Sequence, residues 1–225
     1  MCDVDTLRIK FAGVVGRNPE AAGISRGMSA RELDRALWGT ASLFTRNNIH
    51  VVGALLPPQE DIGEKRTEEE REDMDLEIFP TGERINIFLP EKCERVGCRL
   101  NHMPFQQVVE TVYVCLSSAL EVNNTVVMLN RFGKSEAEGG GYSKVLELAM
   151  ERDLPVIIGV SDSHKRRNGG HNLRGAWERY IEGTSGVVLE PKIEKILDWA
   201  VDHSVLNIKS LLINPYSTLM TNEPE

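Results

Sequence analysis

Thr125 to Val160 reads TVVMLNRFGKSEAEGGGYSKVLELAMERDLPVIIGV, which divides into a strand, a polar loop, a helix and a second strand. Val126 to Leu129 and Val156 to Val160 are uninterrupted apolar runs, as expected of strands buried on both faces of a parallel sheet. Between them, Val145, Leu146, Leu148 and Ala149 give Tyr142 to Arg152 a helical stripe, which Asp153-Leu154-Pro155 ends. The stretch is a βαβ unit. Its loop, Asn130 to Gly141, holds one arginine, one lysine, two glutamates and four glycines. Folding alone asks for no such mixture, and this loop is the first candidate site.

Upstream, Leu7 to Gly16 is a β-rich run that stops at Arg17-Asn18-Pro19. A phosphate-binding loop of the form GxxxxGK[ST] should follow such a strand if the chain carried one; Gly16 to Ser29 has glycines but no lysine. Ser29 and Glu32 have capping-box spacing, opening a helix with Leu33, Leu37, Ala41 and Phe44 or Leu43 on one face. That helix is read as core-packing only. Asn47-Asn48 ends it, and His50 to Leu56 is the next strand. Residues 57 to 90 read as an insertion: an acidic connector, then Leu76 to Leu89 alternating around Pro80-Thr81-Gly82 as a β-hairpin with Arg84 and Asn86 on its polar face. Asp73 and Asp75 precede it, spaced to point the same way, as a charged strand start or a cation site.

Cys93, Cys98 and His102 do not make a zinc pattern, because no second ligand pair exists elsewhere. Cys98 and Arg99 lie ahead of a helix from Met103, where a helix N-terminus favours anions and thiolates; the alternative is a buried cysteine beside a surface arginine. Cys115 belongs to that helix's apolar face. Downstream, Ser161 to Arg174 is a second polar loop with Lys165-Arg166-Arg167, followed by a short helix at Ala176, a short strand at Gly186 to Leu189 and a helix from Ile193. Residues 171 to 225 are expected to form a C-terminal helical extension of a single α/β domain spanning 1 to 225.

The 225 residues are 41% hydrophobic and 27% charged with a formal net charge of −8, enough for a full core and opposed to general nucleic-acid or membrane attraction. Four dispersed cysteines, no leader pattern and no long apolar run point to a cytoplasmic protein without membrane insertion.

With Asp73 to Leu76, Gly97-Cys98-Arg99-Leu100, and above all Asn130-Arg131-Phe132-Gly133-Lys134 followed by Glu136, Glu138 and Gly139, the chain resembles the DUF2478 family from about Leu7 to Val160. The resemblance implies a three-layer, mostly parallel α/β domain related to P-loop nucleoside triphosphatases but without a Walker A motif, the NRFGK strand standing where those enzymes carry Walker B. It also implies a link to molybdenum transport systems. Asn101 departs from the family's aspartate, and the acidic connector and the tail after Gly170 look particular to this chain.

Ligands of open parallel sheets bind outside the carboxyl ends of the strands. Loops expected there supply Arg17, Arg131, Lys134, Lys165 and Arg166 as cations, with Asn130, Gly133, Gly139, Cys98 and Arg99 beside them. The expectation is a binding or regulatory protein for an anionic small molecule: a nucleotide, phosphate, or an oxyanion such as molybdate. A second reading is a phosphohydrolase or nucleotide-dependent transferase using Lys134 with Glu136 or Glu138 and Mg2+. A third is a structural or chaperone partner in metal-cofactor assembly; a homo-oligomer is a separate expectation. Against all three stands a plain alternative: Lys134 pairs with Glu138 and the glycines only turn the chain.

Overall fold

The structure, a computed structural model, describes residues 11–16, 28–58, 75–88, 100–119, 124–161, 173–182 and 186–202. In chain order these give β1 (Phe11–Gly16), α1 (Met28–Arg46), β2 (His50–Leu55), β3 (Asp75–Phe79), β4 (Glu83–Asn86), α2 (His102–Ser118), β5 (Thr125–Phe132), α3 (Lys134–Ala137), α4 (Ser143–Glu151), β6 (Val156–Ser161), α5 (Leu173–Tyr180), β7 (Val187–Leu189) and α6 (Ile193–Asp202). They build one seven-stranded sheet in the order β4-β3-β2-β5-β6-β1-β7. β2, β5, β6, β1 and β7 are parallel, and the β3–β4 hairpin adds two antiparallel strands at the β2 edge. The apolar runs of β5 and β6 occupy central positions, where both sheet faces are covered.

Two cores form, one on each face. Val108, Val112 and Leu116 of α2, Val145 and Leu146 of α4, and Trp177 of α5 cover Val127, Leu129 and Ile158. Leu33, Leu37, Ala41 and Phe44 of α1, with Ile196, Trp199 and Ala200 of α6, cover Val126, Met128 and Ile157. The result is a three-layer α/β arrangement, as expected. α1 ends with Asn48 at φ 58 and a hydrogen bond from the Ile49 N–H to the Phe44 carbonyl, the left-handed stop that asparagine tolerates.

Two readings change. α1 starts at Met28, so Ser29 lies inside its first turn rather than capping it. α3 is a separate helical turn within what the sequence reads as loop. The short helix, short strand and further helix read after Gly170 are present as α5, β7 and α6; the strand is hydrogen-bonded to the β1 edge and α6 joins the α1 core. That strand is only three residues long, so it has too little periodicity to reveal its partner. The acidic connector and residues 203–225 lie outside the described residues. No helix among the described residues is long and apolar enough to cross a membrane.

Candidate functional site

β5 is regular up to Leu129 and irregular after it. Val127 and Leu129 enter one core and Val126 and Met128 the other, yet Phe132, three positions on from Leu129, returns to the Leu129 side. A bulge between Leu129 and Phe132 accounts for the extra residue, bending the strand and re-aiming the side chains beside it. The bulge is accommodated by Gly159 of β6, where a Cβ would overlap the Asn130 carbonyl oxygen. Asn130 and Arg131 therefore leave the ladder at the strand's carboxyl end.

Beside them lies a cavity of about 460 Å³. One wall is the β5–α3 segment: Asn130, Arg131, Gly133, Lys134, Glu136 and Glu138. The lining also includes the apolar Leu76 of β3, Ile87, Leu100 and Phe105 of α2, with His102 at the start of α2 and Tyr142 at the far end of the loop. Six of the sequence-selected residues thus meet around one space. Gly139 is described but does not line it, and Arg17, Cys98, Arg99, Lys165 and Arg166 lie outside the described residues, as do Asp73 and Cys93.

Glu136 has a role that its residue type alone does not reveal. Its side chain is buried, and its two oxygens accept hydrogen bonds from the Gly133 N–H at 2.8 Å and the Tyr142 N–H at 3.1 Å. One carboxylate thereby ties both ends of the loop together. Burial raises its pKa above the ordinary carboxylate value, against the backbone hydrogen bonds that favour the charged form. Gly141, at φ +54, must be glycine here because a Cβ would overlap Glu136 Oε1, while Gly139 at φ +81 faces open space. The glycines close the loop around Glu136; nothing in their geometry requires close approach to a ligand.

The two cations of the segment are both paired. Lys134 Nζ lies 3.7 Å from Glu138 Oε1, both side chains being 60% exposed, so the plain ion-pair alternative is formed. Arg131 Nη2 donates to Asp34 Oδ1 at 2.7 Å. Asp34 was not selected from the sequence: its helix reads as core-packing, yet 34 shares the stripe of Leu37 and Ala41, where an acidic residue is out of place. Burial raises its pKa while Arg131 pulls it down.

Two residues that line the cavity each carry a buried side-chain atom without a hydrogen-bond partner: Asn130 Oδ1 and the Tyr142 hydroxyl. Burial, and secondarily the Glu136 charge, pushes the Tyr142 pKa upward, leaving a neutral phenol. Cys115 is half-buried against the core, as expected, with its thiol pKa raised by burial and then by Glu83. Asp75 accepts from Asn86 Nδ2 at 2.7 Å. Among the described residues, no group of three or more His, Cys, Asp or Glu side chains is placed to hold a metal ion.

The strands that carry the expected loops stand side by side. β6 pairs in parallel with both β5 and β1, with Gly16 opposite Ser161 at the shared carboxyl edge; residues 17–27 and 162–172 lie outside the described residues.

Neither a curated protein nor a solved structure matches the chain. The family described as "Protein of unknown function (DUF2478)" matches residues 21–199, further toward the C-terminus than the motifs suggest. That span runs across the acidic connector and through β7. Matched over most of its length, from before α1 to within α6, the protein belongs to the DUF2478 family.

Proposed function

We propose that the protein binds a nucleotide-sized anionic molecule at the carboxyl ends of its parallel strands, in a binding or regulatory role. The observation that carries this reading is the cavity of about 460 Å³ walled on one side by Asn130 to Glu138. Its volume falls in the range of small-molecule sites, and a few polar groups against apolar walls is the composition such sites have. A lone tetrahedral oxyanion, phosphate or molybdate, would leave most of that space unfilled. A nucleotide would place its apolar body against Leu76, Ile87, Leu100 and Phe105 and its charge toward Lys134. The Lys134–Glu138 pair is long and exposed, so exchanging Glu138 for a phosphate costs little.

The P-loop-related scaffold implied by the family resemblance is part of this proposal. It is supported by α1 and α5 lying on opposite faces of the sheet after the adjacent strands β1 and β6, the reversal that marks ligand crevices in open α/β sheets. The hydrolase or transferase alternative is less well supported. Both oxygens of Glu136 are engaged by backbone N–H groups, and Glu138 faces Lys134. Mg2+ would therefore enter with the nucleotide's phosphates rather than in a protein cage.

Calorimetric titration of the full chain with ATP, GTP, their diphosphates, phosphate and molybdate, with and without Mg2+, tests this. A nucleotide should bind, and Lys134→Ala should weaken it about tenfold, the effect of one charge-assisted contact, with an unchanged unfolding midpoint. Unchanged affinity in the variant would move the anion away from this loop. Mg2+-dependent turnover that Glu138→Gln abolishes would favour the enzyme reading.

A further inference from the structure

Resting on the reading of the cavity as a ligand site, we infer that Gly133 to Gly141 is its lid, a self-contained piece that swings on glycines at its two ends and is caught shut by Glu136. The hydrogen bonds of the segment close on themselves. The Ala137 N–H donates to the Gly133 carbonyl, Glu138 to Lys134 and Ser135, Gly139 to Glu136, and Gly140 to Ser135. Ser143 returns to the Gly140 carbonyl through both its N–H and its hydroxyl, and Lys134 pairs with Glu138. Among the described residues, no hydrogen bond or ion pair joins Lys134–Gly141 to anything outside Gly133–Ser143. α3 lies against α5, held there by packing alone. Compact surface loops closed by their own contacts move as units and often serve binding sites.

Both ends of the segment can turn. Gly133 opens it, and Gly139 at φ +81 and Gly141 at φ +54 close it, small residues at the points where a hinge absorbs backbone rotation. Beyond them the chain is fixed. Phe132 pairs with Val160 in the sheet, and Tyr142 is buried with its ring edge to face with Phe105 at 5.2 Å. Glu136 spans the two hinges, its carboxylate taking the N–H groups of Gly133 and Tyr142. It is the buried member of an otherwise exposed turn, since Lys134, Ala137 and Glu138 all lie in water. Opening the lid returns that carboxylate to water, and its hydration offsets much of what the two hydrogen bonds give. Opening β5 or β6 has no such compensation, because Val127 and Ile157 are fully covered. Lys134, Ser135, Glu136 and Glu138 line the cavity, so the swing removes that side of it, and a ligand that meets Lys134 holds the lid shut.

Native-state hydrogen exchange of the full chain, read amide by amide, tests the lid without a ligand. The Gly133 and Tyr142 amides, both held by Glu136, should share one opening equilibrium, about a hundredfold or more above that of the β5 and β6 amides and little affected by low urea. Ile157→Val, in the core on the other face of the sheet, should speed β5 and β6 severalfold and leave the two lid amides unchanged, because that contact survives when the lid alone opens. Glu136→Gln keeps one acceptor and loses the other, and should speed at least one of the two amides about tenfold or more. Strand-like exchange at Gly133 and Tyr142, unequal openings of the two, or equal acceleration in Ile157→Val overturns the inference, and these wild-type and Ile157→Val results stand even if Glu136→Gln does not fold. Saturating ATP with Mg2+ should slow the two lid amides by the same factor as the strands, because the closed form alone binds it. Slowed strands beside unslowed lid amides overturn closure over the occupant. No slowing anywhere overturns the nucleotide reading and leaves the motion itself in place.

Discussion

The β3–β4 hairpin and the segment after β5 use the same kinds of polar residue, in different surroundings. On the hairpin, Arg84 meets Glu77 at 2.8 Å and Asn86 meets Asp75 at 2.7 Å, each directly across the strand pair. Arg84 is 58% exposed, and water can replace either pair. After β5, Glu136 and Asn130 are buried. Glu136 is fully used by the backbone, whereas Asn130 Oδ1 has no partner. Exposed polar pairs of this kind contribute little, whereas a buried polar group that holds the backbone is costly to lose.

The largest effect should come from Glu136. Glu136→Ala leaves the Gly133 and Tyr142 N–H groups without their acceptor and should cost about 3 kcal/mol in urea unfolding. A loss no larger than that of a hairpin pair would break the contrast between the two regions. The same carboxyl makes stability depend on pH. Its folded-state pKa lies above the ordinary 4.5, and that of Asp34 above 3.8. The folded state therefore holds these protons more tightly than the unfolded chain. Their contribution is fullest at pH values below the ordinary pKa and is lost as pH rises through the raised values. Unfolding of Glu136→Gln across that range should show a shallower decline than wild type; a parallel or steeper decline would refute the assignment.

Smaller effects sharpen the contrast within the loop. Gly141→Ala has an unfavourable φ and overlaps an anchored carboxylate, so about 2 kcal/mol is expected, against about 1 kcal/mol for Gly139→Ala, which has the backbone cost alone. Equal costs in thermal unfolding would mean that Glu136 yields freely. Least of all, Arg84→Ala on the hairpin should change stability by less than about 1 kcal/mol, and a larger loss would show that the exposed pair is more than a surface contact.

The sheet was legible because its strands are local apolar runs: β2 and β6 lie within a residue of their sequence-read ends, β5 runs three residues past Leu129 into the expected loop, and the hairpin turns at Pro80-Thr81-Gly82 as read. Glu136 was legible as a charged residue of the candidate loop but not as its latch, although its position three residues after Gly133 is the spacing at which a glutamate reaches back to a helix start. Asp34 was missed because its partner, Arg131, is 97 residues away.

Residue order alone determined the alternation of buried strands with amphipathic helices, the missing glycine-lysine phosphate loop, and the concentration of charge and glycine between Asn130 and Gly141. Those are properties of neighbouring residues, carried by the periods of strand and helix. Tertiary structure decided that β7 closes the β1 edge, that the bulge turns Asn130 out of the ladder, and that Glu136 faces inward while Lys134 and Glu138 face water. Burial depends on which distant elements cover a residue, and burial decides whether a polar group supports the fold or meets solvent.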